Sequence, residues 1–119
     1  MGWYGFDLDG TLARDDREWD GGIGEPIPPM IENVKFLLSH GIDVRIFTAR
    51  VSKADGVGAS SGLEATDEFI AEQERVIQEW CLKHIGKVLP VTCIKDFHMV
   101  CLFDDRAYRV IRNTGEIVY

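Results

Sequence analysis

The run Phe6-Asp7-Leu8-Asp9-Gly10-Thr11-Leu12 sets two carboxylates on either side of one leucine, where an apolar stretch gives way to a glycine turn. A buried strand ends in two like charges where something cationic or catalytic holds them. A second acidic pair, Asp104-Asp105, follows the apolar run Val100 to Phe103. As strand ends of one sheet, these segments would bring Asp7, Asp9, Asp104 and Asp105 to a single edge. Two unit charges about 5 Å apart repel by roughly 3 kcal/mol at an effective dielectric of about 20. Several such pairs require a counter-ion, and a hard divalent cation with oxygen ligands, Mg²⁺ above all, is the natural one.

A carboxylate in such a cluster can also react. Held against an electrophilic phosphorus, Asp7 can attack and form an aspartyl-phosphate. Asp9, two residues on, is then placed to protonate the leaving oxygen and later to activate water. Thr48 offers a hydroxyl donor to a phosphate oxygen, and Lys95 a positive charge that offsets the negative charge of phosphoryl transfer. Gly10 lets the backbone turn so that amide groups face the phosphate. Read individually, Thr48 is also an ordinary β-branched strand residue, Lys95 a surface lysine and Asp105 a turn-capping residue. Arg50 reads equally well as a substrate contact or as a partner of the acidic segment near residue 15.

The elements that must position these groups follow from hydrophobic periodicity. Trp3 to Phe6 reads as a first strand. Pro26-Ile27-Pro28-Pro29 sets up a helix start, since proline suits the first helical turn. Met30, Ile31, Val34, Leu37 and Leu38 share one helical face, and Gly41 is a good stop. Ile42 to Phe47 is a second strand ending at Thr48. Thr66, followed by Asp67 and Glu68, is an N-cap with acids in the first turn; Ser61 with Glu64 is a rival start. That helix buries Phe69, Ile70, Val76, Ile77, Trp80 and Cys81 and stops near Gly86. Val91 to Ile94 and Val100 to Phe103 read as strands, and Tyr108–Ile111 with Glu116–Val118 as a hairpin across Asn113-Thr114-Gly115. The order predicts an α/β fold with a mainly parallel sheet. Asp7, Thr48 and Asp104 then all fall just past C-terminal strand ends, where open α/β sheets bind ligands.

Composition narrows the classes. A chain of 119 residues makes one domain, spanning 1–119. It carries a small flap at about 13–28, with Trp19 and acids Asp15, Asp16 and Asp20, and a Gly/Ser-rich loop at about 51–65. No apolar stretch reaches the ~20 residues of a membrane helix, and the N-terminus lacks a signal-peptide pattern. Cys81, Cys93 and Cys101 are odd in number and form no C-x-x-C pair, so the expectation is a reducing, cytoplasmic setting. A net charge of −7 argues against nucleic acid as a general partner. His40, His84 and His98 share no spacing that suggests catalysis.

Taken in order, Asp7-Leu8-Asp9-Gly10-Thr11, Thr48, Lys95 and Asp104-Asp105 resemble the four motifs of the haloacid dehalogenase-like hydrolases, from Phe6 to Ala107. The resemblance implies a Rossmann-like three-layer sandwich with Asp7 as nucleophile and Asp9 as acid/base, its backbone carbonyl on the metal. Thr48 and Lys95 would hold the phosphoryl group, and Asp104 would bind Mg²⁺ with Asp105 in support. The second acid, Asp9, favours phosphate-ester hydrolysis over carbon–halogen cleavage, which has no alkoxide to protonate. Neither gap between motifs has room for a large cap domain, so the chain resembles a capless member. Such members act on macromolecular phosphates, or use a neighbouring subunit to cover the site; the 51–65 loop is a candidate partial lid. The expected function is a Mg²⁺-dependent phosphomonoesterase on a phosphorylated small molecule or macromolecule. The rivals are a polynucleotide-end phosphatase and a non-catalytic Mg²⁺- or phosphate-binding module of the same fold.

Overall fold

The unbroken apolar run Trp3 to Phe6 makes the first strand, β1 (Trp3–Asp7), which runs through the interior of the sheet. A computed structural model of the chain describes residues 2–16, 21–53 and 65–119. Helix α1 (Pro28–Ser39) begins with proline in its first turn and leads to β2 (Asp43–Phe47). A single 3₁₀ turn, Ala49–Val51, follows Thr48. Helix α2 (Asp67–His84) starts where the Thr66 hydroxyl accepts the Phe69 backbone N–H at 3.1 Å. Then come β3 (Val91–Thr92), β4 (Met99–Phe103) and a separate antiparallel hairpin of β5 (Arg109–Val110) and β6 (Ile117–Val118). Residues 17–20 of the expected flap, with Trp19 and Asp20, and 54–64 of the expected loop, with the rival Ser61–Glu64 helix start, lie outside the described residues.

The four strands are parallel in the order β3-β2-β1-β4. From β1 to β2 and from β2 to β3 the chain steps the same way, and right-handed crossovers then put α1 and α2 on one face. Burial agrees. Phe6, Val44 and Ile46, which share that face, cluster with Ile31 and Val34 of α1 and with Ile77, Trp80 and Cys81 of α2. Phe6 also stacks on Phe103 of β4, ring centroids 4.3 Å apart.

The step from β3 to β4 runs the other way, from one sheet edge to the opposite edge, so it must cross the second face. Only residues 93–98 are available for it. The diagonal is roughly 20 Å, close to the full reach of so short a segment at ~3.4 Å per residue. No helix fits there, and the segment crosses as a strap. Asp96 accepts the Trp3 indole N–H at 2.8 Å, and the His98 carbonyl accepts the Trp3 backbone N–H at 3.0 Å. Arg45 lies over the Trp3 ring, 5.0 Å from its centroid. Among the described residues, then, the helices form one layer against the sheet, not the two expected of a three-layer sandwich. The strap's stretch also shortens β3, which ends at Thr92 instead of Ile94. No described helix is long and apolar enough to cross a membrane.

The turn after β1 belongs to the core. Leu8 and Leu12 are fully buried, and the Leu8 carbonyl accepts the N–H groups of Leu12 and Ala13 at 3.0 Å each. Burying each leucine contributes about 1.5–3 kcal/mol, so the segment carrying Asp9, Gly10 and Thr11 is anchored at both ends. Beyond it, Arg14 N–H bonds the Glu25 carbonyl at 2.8 Å, and Trp80 Nε1 bonds the Gly24 carbonyl at 3.1 Å, tying the described part of the flap to α2.

Candidate functional site

The strand order reverses at β1, with β2 and β3 on one side and β4 on the other. Ligands of open α/β sheets sit in the crevice beyond the C-terminal strand ends at such a point. Asp7 is the last residue of β1, and Asp104-Asp105 directly follow β4. One carboxylate oxygen from each of the three lies within 4.8 Å of the others. At that spacing each ionised pair repels by roughly 3 kcal/mol at an effective dielectric of about 20. Among the described residues, no lysine or arginine forms an ion pair with any of the three.

Local chemistry fixes how these acids point. The buried Thr11 hydroxyl lies 3.3 Å from Asp7 Oδ2 and 3.3 Å from Asp105 Oδ1, and accepts the Asp105 backbone N–H at 3.1 Å. A hydroxyl has one proton, so Thr11 can serve only one carboxylate at a time. Asp104 Oδ1 accepts the Arg106 backbone N–H at 2.9 Å. The Asp7 carboxyl is pushed up to about 7. Burial is the largest cause, followed by a hydrogen bond from its protonated form to Asp105 and by the charges of Asp104 and Asp105; the Thr11 hydroxyl partly offsets them. An all-oxygen donor set short of positive charge suits a hard divalent cation.

Asp9 stands apart from this trio. Both its oxygens accept from Arg50, Oδ2 from Nε at 2.8 Å and Oδ1 from Nη2 at 2.8 Å. Arg50 is itself only 4% exposed. Its Nη2 also bonds the Gly22 carbonyl at 2.8 Å, and its Nη1 bonds Gln73 Oε1 of α2 at 3.1 Å. The same residue organises Thr48, whose hydroxyl oxygen accepts the Arg50 backbone N–H at 3.2 Å. With an oxygen lone pair so used, the Thr48 hydroxyl keeps its proton for another acceptor.

These groups share one cavity of about 430 Å³, lined by Asp7, Asp9, Asp15, Thr48, Ala49, Arg50, Asp105 and Arg106. Across the acidic trio lies an open groove of about 480 Å³ with apolar walls from Ile27, Met30, Leu102 and Phe103. Gly10 sits between, with φ +90°, a backbone conformation that glycine adopts without strain. A Cβ there would come within 2.5 Å of the Asp105 carboxylate, so the close approach also requires glycine.

Of the residues singled out from the sequence, Asp7, Asp104 and Asp105 form the acidic trio, and Gly10 packs against Asp105. Asp9 and Thr48 line the adjoining cavity. Lys95 is exposed on the strap after β3 and is not among the residues lining that cavity. The cations on its wall are Arg50 and Arg106. Sequence reasoning gave Thr11 no role, although its place between two acidic segments was a usable signal. Gln73 carried no signal beyond being a polar residue in an apolar helix face. Asp15, one of the acids of the expected flap, also lines the cavity.

Comparison of the chain with protein-family models, curated proteins and solved structures finds no match in any of the three.

Proposed function

We propose that this protein is a Mg²⁺-dependent phosphomonoester hydrolase that works through an aspartyl-phosphate on Asp7, in the manner of the haloacid dehalogenase-like hydrolases its motifs resemble. The observation that carries the reading is the convergence of Asp7, Asp104 and Asp105 at the switch point of the sheet, beside a cavity holding Asp9 and Thr48. The trio's carboxylates fit a hard cation, and Asp7, Asp104 and Asp105 would hold it with the Asp9 backbone carbonyl. When bound, Mg²⁺ supplies positive charge to the phosphoryl oxygens and to the acids around them.

In this reading Asp7 attacks phosphorus through one carboxylate oxygen as the bond from phosphorus to the leaving oxygen breaks. That oxygen takes a proton from Asp9 and departs as the alcohol. Water then attacks the same phosphorus and gives its proton to Asp9, and the bond to Asp7 breaks, releasing inorganic phosphate. The Thr48 hydroxyl donates to a phosphoryl oxygen throughout, and Arg106 faces the incoming dianion.

The test is hydrolysis of an aryl phosphate by wild type and Asp7→Asn. The variant should keep its fold by circular dichroism and lose turnover, and chelation of Mg²⁺ should stop the wild-type reaction. Turnover retained in Asp7→Asn refutes the nucleophile assignment.

A further inference from the structure

Among the described residues the buried polar side chains are Thr11, Thr48, Arg50 and Gln73, and all four touch the candidate site or the group that braces it. Arg50 is the costly one. Taking a guanidinium–carboxylate pair out of water carries a penalty that its mutual attraction only repays with good geometry, and apolar side chains of similar size often serve stability as well. The pair's geometry is good. Two parallel bonds of 2.8 Å join it to Asp9, and two further bonds seat it on the Gly22 carbonyl and on Gln73. Three separate parts of the chain thus hold one guanidinium, and that guanidinium holds one carboxylate.

We propose that Arg50 is a positioning residue for Asp9, setting the plane of its carboxylate so that the outer side of one oxygen faces the leaving-group oxygen. The inference rests on the hydrolase reading above. With the facing side of both Asp9 oxygens engaged by Arg50, the proton that Asp9 passes travels from the outer side. Because Nε and Nη2 grip different oxygens, rotation of the carboxylate breaks a bond, which a single-point contact would permit. Lysine, a point charge without the fork, cannot impose the same plane. The role predicts a signature that neither phosphate binding nor simple structural support produces. Loss of Arg50 should hurt substrates in proportion to how much their leaving group needs a proton.

The experiment compares p-nitrophenyl phosphate, whose leaving group departs without a proton, with an alkyl phosphate such as phenethyl phosphate, whose leaving group does not. In Arg50→Lys, kcat/KM, which reports only the steps through departure of the leaving group and not the later hydrolysis of the aspartyl-phosphate, should fall by about 10²-fold on the alkyl ester, the low end of a general acid's contribution, and by less than about threefold on the aryl ester. Competitive inhibition by inorganic phosphate should stay within about twofold of wild type, since ground-state binding is untouched. Asp9→Asn should show the same bias, and the double variant should be no worse than Asp9→Asn alone. Gln73→Met, which removes one brace and leaves the ion pair, should show a weaker bias of the same sign and serves if Arg50→Lys fails to melt cooperatively. Equal losses of kcat/KM on both esters, weakened phosphate inhibition as the main effect, or additivity with Asp9→Asn overturns the proposal. If wild type itself turns over neither ester, the hydrolase reading fails instead, and the two failures are distinguishable.

Discussion

The Asp7 carboxyl, pushed up to about 7 by burial and by the acids beside it, makes metal binding dependent on pH in a way that can be worked out in advance. In the metal-free protein Asp7 is about nine-tenths protonated at pH 6 and about one-tenth protonated at pH 8. A divalent cation needs the ionised form and displaces that proton. Binding should therefore release about 0.9 proton per ion at pH 6 and about 0.1 at pH 8, with an apparent Kd about tenfold weaker at the lower pH. The stability linkage runs in the same direction. An acid whose folded value lies above its unfolded value binds protons better when folded, so without metal its contribution falls as pH rises from about 4 to about 7. Added Mg²⁺ should offset that loss most at pH 7 and above. Isothermal titration of Mg²⁺ in two buffers of different ionisation heat reads both the affinity and the proton count. Asp7→Asn should abolish the proton release. An affinity that does not change between pH 6 and 8, with no proton released at pH 6, would refute the reasoning.

Gly10→Ala should weaken Mg²⁺ binding by about tenfold or more, because the added Cβ meets the Asp105 carboxylate at 2.5 Å in a backbone conformation that already disfavours alanine. Titration calorimetry on the folded variant checks it, and wild-type affinity would count against the packing argument. Arg106→Ala should raise KM for a phosphate ester by about tenfold, the worth of one charge-assisted hydrogen bond. Lys95→Ala, on the exposed strap, should change it by less than about twofold, and steady-state kinetics on both variants separates the two cations.

How much of this could be read from the residues depended on how far apart the interacting groups lie. The two acidic segments were legible because in a parallel sheet all C-terminal strand ends point the same way, and apolar runs ending in aspartate mark those ends. Helix α2 begins at Thr66 because its cap is a bond between neighbours, which sequence displays directly. The partner of Asp9 was not legible in that way. Arg50 is 41 positions from Asp9, and Gln73 a further 23 from Arg50, and nothing local distinguishes a buried guanidinium from a surface one. The short β3 and the absence of a second helical layer among the described residues share one cause. A six-residue link must span the sheet's other face, and that constraint arises only once the strand order is known. Lys95 sits on that link, which accounts for its place outside the cavity.

In the proposed reaction Asp7 receives the phosphoryl group. Acid-quenching the enzyme during turnover of an aryl phosphate with Mg²⁺ present, then mapping peptides by mass spectrometry, tests it without intermediaries. One phosphoryl group is expected on the peptide bearing Asp7, removed by hydroxylamine as an acyl phosphate is and missing from Asp7→Asn. Steady turnover with that peptide unmodified at every quench time, or with the phosphoryl group on another residue, would contradict it.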